Sequence, residues 1–199
     1  MSKMLRFVLV FLASCCGVVA TAATAAMAQG EIANAPDPFV HSRAGVEFPL
    51  ALDGFTRQRV YQFDDRGEDI SIGYRESDFP TPITVTIYVY PRSGSCSDSF
   101  ASTVEPIMEY KGAKDLGADI DTQWSKAFAG QEQYFARFLV PAGSYGHDHP
   151  DLTSVAWVAC PRNTSWVVKL RASYENEAAE PILRPLVDQI DWSMLLGRQ

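Results

Sequence analysis

Residues 165–174 read SWVVKLRASY, and their alternation decides the fold class. Apolar side chains occupy every second position: Trp166, Val168, Leu170 and Ala172. Polar side chains occupy the positions between them: Lys169, Arg171 and Ser173. Because successive side chains of a strand point to opposite faces, this period of two predicts a half-buried β-strand with one face on the core.

Other segments show the same period and are predicted to be strands: 55–63, 69–76, 83–90, 119–128, 133–140 and 153–160. Polar turn residues separate them, as in Asp64-Asp65-Arg66-Gly67 and Ala129-Gly130. Short connections join antiparallel neighbours, so we expect a single antiparallel sheet of about seven strands.

Two segments change to helical spacing. The first follows Cys96, where apolar residues recur at Phe100, Val104 and Ile107. The second covers about 178–192, and its apolar stripe must lie on the sheet: Ile182, Leu183, Leu186, Val187 and Ile190. Runs of strands interrupted by one helix and closed by another predict an α+β fold, with one helix in mid-chain and a C-terminal helix packed on the sheet.

The N-terminus has the pattern of a cleavable signal peptide over residues 1–28. Lys3 and Arg6 precede an apolar stretch that ends in Ala26-Met27-Ala28, a small-x-small cleavage pattern. A bacterial lipoprotein signal is the alternative, because Leu12-Ala13-Ser14-Cys15 resembles a lipobox. The segment predicts a periplasmic or secreted protein without a transmembrane anchor after cleavage, or a lipid-anchored one if Cys15 is modified.

The rest of the chain divides into a lead-in and one domain. Residues 29–44 contain Pro36, Asp37 and Pro38 with little periodicity and are predicted to be flexible, and a single domain covers 45–199. The formal net charge is −7, and no basic run follows Arg6. Nucleic acid and anionic membranes need Lys and Arg clusters, so neither is expected as a partner.

Cys96 and Cys160 are the cysteines that remain after the predicted cleavage, and each follows a predicted strand. An even count in an exported chain favours a disulfide, and two buried thiols are the alternative. A bond would close a loop of about 65 residues and stabilise the fold by about 4 kcal/mol.

Catalytic motifs are absent from the sequence: it has no Gly-x-Ser-x-Gly, no phosphate-binding glycine loop and no His-Glu-x-x-His. One loop offers metal ligands, since His147 and His149 are flanked by Asp148 and Asp151. Imidazole and carboxylate groups suit Zn or Cu. The alternative is a polar turn whose Asp and Pro residues set the backbone geometry.

Four aromatic residues on neighbouring predicted strands form the candidate binding surface: Tyr61, Phe63, Tyr88 and Tyr90. Exposed together, they would offer a contact surface for a protein or a small ligand. The alternative is that a helix covers them.

The order of elements over residues 45–195 resembles the PsbP-like fold. Gly54-Phe55 near the start and the helix between Tyr90 and Asp119 carry this resemblance. It implies a curved antiparallel sheet with helices, of the kind found in exported accessory proteins that have no catalytic activity.

These patterns favour an exported, non-catalytic envelope module that binds a protein partner or a small ligand and needs no cofactor. The alternative is a metal-binding protein or metal-dependent enzyme that uses the His147 and His149 loop. The oligomeric state is left open by the sequence.

Overall fold

The structure, a computed structural model, describes residues 29–78, 81–119, 124–144, 149–175 and 179–197. The predicted signal peptide, 1–28, with its alternative lipidation site Cys15, lies outside these residues. None of the helices in the described ranges is both long and apolar enough to cross a membrane.

One large antiparallel sheet dominates the described part of the chain, as predicted. Its strands are β1 (Gly30–Glu31), β4 (Ala51–Leu52), β5 (Phe55–Gln62), β6 (Ile70–Glu76), β7 (Ile83–Pro91), β8 (Lys114–Asp119), β9 (Glu132–Val140), β10 (Leu152–Cys160) and β11 (Trp166–Tyr174). They run in the order β1-β5-β6-β7-β11-β10-β9-β8, with β4 also paired to β5. A separate pair joins β2 (Phe39–Val40) and β3 (Glu47–Phe48).

The expected number of about seven strands is corrected to nine among the described residues. Of the strands that the sequence did not predict, β1 and β4 are two residues long and pair with β5. A strand of two residues is too short to show an alternation of apolar and polar side chains, so the sequence does not predict it.

The strand predicted over 119–128 is wrong for 124–128, which are not in a strand, and residues 120–123 lie outside the described residues. Trp124 and Phe128 are buried without belonging to a strand, and both rings pack beside Trp157. Their apolar character reflects this aromatic cluster and not a strand face.

The sheet separates two apolar layers. The larger core lies on the face of Val85, Val155 and Leu170, and it includes the helix that follows β11. The opposite face of β9 and β10 is covered by α1 (Cys96–Met108), where Ile107 meets Phe138 and Val140. Ser95 caps α1 in a reciprocal pair of hydrogen bonds with Asp98.

The C-terminal helix is present as α2 (Glu180–Gln189), followed by the short α3 (Ser193–Leu196). Leu183, Leu186 and Val187 are fully buried in the larger core, as the apolar stripe predicts. The Trp192 indole N–H donates to the carbonyl oxygen of Val187 at 2.8 Å and joins the two helices.

Residues 29–44, expected to be a flexible lead-in, lie against the sheet. β1 pairs with β5, and the His41 side chain is fully buried beside the Trp166 ring. His41 Nε2 bonds to the carbonyl of Glu68, while Nδ1 accepts from the backbone N–H groups of Arg43 and Ala44. A buried imidazole thus holds this segment through contacts distant in sequence, which local composition does not reveal.

Candidate functional site

The sheet has one face that is only half covered. Helix α1 packs on β9, β10 and β11, and in the described part of the chain no helix packs on the same face of β5 and β6. We call the area that α1 leaves uncovered, on β5, β6 and the adjoining parts of β7 and β11, the open face. Its outward side chains are Arg59, Tyr61, Ser71, Arg75, Thr84, Thr86, Tyr88, Tyr90, Lys169 and Arg171, with Phe63 just beyond β5.

Strand register explains why distant residues meet there. Tyr61 lies opposite Ser71, Ser71 opposite Tyr88, and Tyr88 opposite Lys169. Directly opposed residues of antiparallel strands share a face, so these side chains form one row across four strands. A second row lies beside it and begins and ends in arginine: Arg59, Gly73, Thr86 and Arg171.

The four nominated aromatic residues are together on this face. The ring centroids of Tyr61 and Phe63 are 4.7 Å apart, and those of Phe63 and Tyr88 are 6.4 Å apart with nearly parallel planes. Tyr61 is 36% exposed and Phe63 is 41% exposed, whereas Tyr90 is partly buried beside α1. The alternative, coverage by a helix, applies to Tyr90 more than to the other rings.

Lys169 lies at the centre of the aromatic residues. Its Nζ is 4.2 Å from the ring centroid of Tyr88 and 5.8 Å from that of Tyr90, which is cation–π geometry. A cavity of about 290 Å³ opens beside it, lined by Phe63, Asp69, Tyr88, Tyr90, Ser102 and Lys169. The amine is therefore fixed in position while its cavity is open to solvent.

Burial shifts the ionisation of the groups that line this cavity. Desolvation lowers the pKa of Lys169 to about 8, with a contribution from the Arg171 charge and an opposing one from Asp69. Burial also raises the pKa of Asp69, with a contribution from Asp64, and raises the pKa of Tyr90 to about 12. The cavity therefore brings the Lys169 amine and the Asp69 carboxyl together.

Gly73 makes room for a cation on the second row. A Cβ atom at Gly73 would lie 3.1 Å from Cγ and 3.4 Å from Nε of Arg59. The Arg59 side chain therefore lies across the sheet over β6, in space that any other residue at position 73 would occupy. Its guanidinium is directed over the open face instead of away from it.

The predicted metal ligands are only partly described. His147 and Asp148 lie outside the described residues. His149 Nδ1 is 2.6 Å from the carbonyl oxygen of Pro150, and the Asp151 carboxylate accepts from the backbone N–H of Ala142 at 2.8 Å. No cluster of three or more potential metal ligands occurs among the residues that the structure describes. The Zn or Cu site stays a prediction.

Cys96 and Cys160 are adjacent, with sulfur atoms 2.12 Å apart and Cα atoms 5.9 Å apart. Both are buried with Val158 and Val167, at the point where α1 begins and β10 ends. Whether the pair is oxidised in the native protein stays a prediction.

A larger cavity, of about 660 Å³, lies on the other side of the sheet and was not predicted from the sequence. Its lining includes Arg137, Tyr174, Glu180 and Arg184. Arg137 Nε and Glu180 Oε2 form an ion pair at 2.7 Å, and the Tyr174 hydroxyl donates to the same carboxylate at 3.3 Å. The Arg137 and Glu180 charges of this cavity therefore neutralise each other.

Sequence reasoning found the aromatic residues but missed the cations around them. Arg59, Arg75, Lys169 and Arg171 form no run in the chain and meet only through strand order. The sequence signal that could have indicated these cations is the alternation in 165–174, because its polar positions place Lys169 and Arg171 on the same face of one strand.

The described residues form an α+β fold with one large antiparallel sheet, one face of which they cover only in part. No family model matches the chain, and no curated protein matches it. Among solved structures, it is similar to the Saccharomyces cerevisiae Ran-binding protein Mog1p, with a TM-score of 0.44 and 12% identity over 83% of this chain and 95% of that one.

Two predictions are corrected by these comparisons. The matched structure is that of a Ran-binding protein, so the expected PsbP-like resemblance is wrong. The predicted periplasmic or secreted location, including its lipid-anchored form, is withdrawn as well: the solved structure that matches is that of a Ran-binding protein. Identity and TM-score are both too low to transfer a residue role or a partner.

Proposed function

We propose that this protein is a non-catalytic binding module that docks a protein partner on its open face. The observation that carries the proposal is the aromatic row on a sheet face that no described helix packs on, with Tyr61 and Phe63 more than one-third exposed. Large aromatic side chains that remain accessible on a rigid support are typical anchors of protein interfaces.

The support for these side chains is rigid. β5, β6, β7 and β11 pair continuously over most of their length, and their opposite face is packed in the larger core. Tyrosine and phenylalanine have few rotatable bonds, so little conformational entropy is lost when a partner covers them. The open face is therefore organised before a partner arrives.

Size favours a protein over a small molecule on this face. Small-molecule pockets usually enclose about 300–1,000 Å³ and bury most of the ligand. The cavity beside Lys169, at about 290 Å³, is at the lower limit and opens to one side. It fits a single side chain of a partner better than a complete ligand.

A catalytic role has no candidate residue on this face. The His41 imidazole is buried and uses both ring nitrogens to hold the backbone. Ran binding is the printed description of Mog1p alone.

Photo-crosslinking tests the proposal. Phe63→p-benzoylphenylalanine places the probe on the open face, and Met194→p-benzoylphenylalanine places it on α3, where Met194 is 67% exposed. In extracts of the native cell, we expect a discrete partner to crosslink at position 63 and not at position 194. The same products from both positions, or none from position 63, would contradict the proposal.

A further inference from the structure

We infer that the segment that docks on the open face is an acidic stretch of protein. The inference rests on the proposed function and specifies the chemistry of the partner. Its basis is a group of cations on one face of a chain whose overall charge is negative, with a formal value of −7.

The open face carries an excess of positive charge. Its cations are Arg59, Arg75, Lys169 and Arg171, and the carboxylate in the cavity between them is Asp69. None of the salt bridges found among the described residues involves any of these cations. Charge left without a partner on a folded surface favours a complementary surface on another molecule.

Nearby carboxylates are either engaged or, like Glu31 opposite Tyr61 on the edge strand β1, lie at the border of the face. In the turn after β5, Asp64 and Glu68 pair with Arg66, and Glu68 also pairs with Arg43. At the opposite end of the face, the Glu175 carboxylate accepts a hydrogen bond from the Thr81 hydroxyl. These acidic groups border the face and leave its centre positive.

The cations are spaced for an extended segment. Arg59 and Arg171 lie at the two ends of the second row, three strand intervals apart, and neighbouring strands are about 4.8 Å apart. Their backbones are therefore about 14 Å apart, which an extended chain spans with about four or five residues. Lys169 lies between two tyrosine rings and can receive a single Asp or Glu carboxylate.

A nucleic acid fits this face less well, although aromatic and basic groups occur together on many nucleic-acid-binding sheets. Stacked bases need free ring faces. Tyr88 has Phe63 against it from the β5 side and Lys169 over its ring from the β11 side. Phe63 and Lys169 thus lie beside the Tyr88 ring from two sides, which leaves less of it free to stack on a base.

Fluorescence anisotropy with defined probes tests the inference. The first probe is a labelled peptide of alternating Glu and Asp with a central Phe, and the second replaces these residues with Gln and Asn. The third is a ten-nucleotide oligo-dT. We expect the complete chain to bind the acidic peptide most tightly, with affinity that falls as salt is raised because screening weakens exposed charge pairs.

Matched variants locate the binding. Arg59→Gln, Arg75→Gln and Arg171→Gln combined should weaken acidic-peptide binding by about 3- to 100-fold, since each exposed pair accounts for about a 1.4- to 5-fold change. Lys114→Gln removes one positive charge from β8 at the far edge of the sheet and should change binding by less than about twofold. Circular dichroism verifies that each variant is folded.

Three outcomes overturn the inference: equal affinity for the amide peptide, tighter binding of oligo-dT, or unchanged acidic-peptide binding by the triple variant. None of these bears on crosslinking at position 63. A partner trapped there through a non-acidic segment would leave the proposed function standing and refute its acidic chemistry.

Discussion

Leu186→Ala is expected to destabilise the domain by about 3–4 kcal/mol. Leu186 is fully buried in the larger core, in the stripe of α2 that includes Leu183 and Val187. The substitution removes three carbon atoms, worth about 2.4 kcal/mol at about 0.8 kcal/mol each. The cavity left behind raises the cost into the upper part of the range of about 2–5 kcal/mol seen for buried Leu→Ala changes.

Urea denaturation followed by circular dichroism measures this change. With a slope of about 2 kcal/mol per molar urea, the midpoint should fall by about 1.5–2 M. Met194→Ala is the matched control, because Met194 is 67% exposed on α3 and should change stability by less than about 0.5 kcal/mol. A Leu186→Ala midpoint equal to that of the parent would show that α2 is peripheral, and the larger core would then be wrongly described.

The remaining predictions concern the disulfide, a buried histidine and a glycine. Thiol titration of the unfolded, non-reduced protein should find no reactive group from Cys96 or Cys160, and two reactive groups would contradict the bond. Reducing the disulfide should lower the free energy of unfolding by about 4 kcal/mol. Burial lowers the pKa of His41 below its ordinary value of 6.5, so protonation favours the unfolded state. The free energy of unfolding should then decline as pH falls below about 6.5, less steeply in His41→Asn, and equal slopes would contradict this role. Gly73→Val should displace Arg59 and weaken acidic-peptide binding while thermal stability changes little, and unchanged binding would show that Arg59 does not contact the peptide.

Periodic segments were predictable because their environment repeats along the chain. The alternation in 165–174 placed Val168 and Leu170 in the core, and the stripe of α2 placed Leu186 there. Both predictions hold because each element buries one continuous face. An apolar residue therefore recurs at every second position of the strand and at every turn of the helix. The single antiparallel sheet followed from the short polar connections.

Aperiodic and long-range features were not predictable in this way. Trp124 and Phe128 belong to an aromatic cluster in a segment without regular spacing, and they were taken for a strand. His41 is buried through contacts with residues far along the chain. Local sequence shows the residue type in each case but not the contact that buries it.

The open face shows the same limit. Its aromatic residues were nominated from strand alternation, and the structure places them together. The cations around them depend on β11 lying next to β7, a pairing between segments about 80 residues apart in the chain. That adjacency follows from the topology of the complete sheet, which turn patterns alone do not determine.

The most direct test of the central claim is an NMR titration of the labelled protein with the acidic peptide. The open face and the 660 Å³ cavity each contain two or more cations, so the chemical shifts discriminate between them. We predict the largest changes at Tyr61, Tyr88 and Lys169, with little change around Arg137 and Arg184. Changes concentrated at Arg137 and Arg184 would contradict the account, because the acidic segment would then bind on the other side of the sheet.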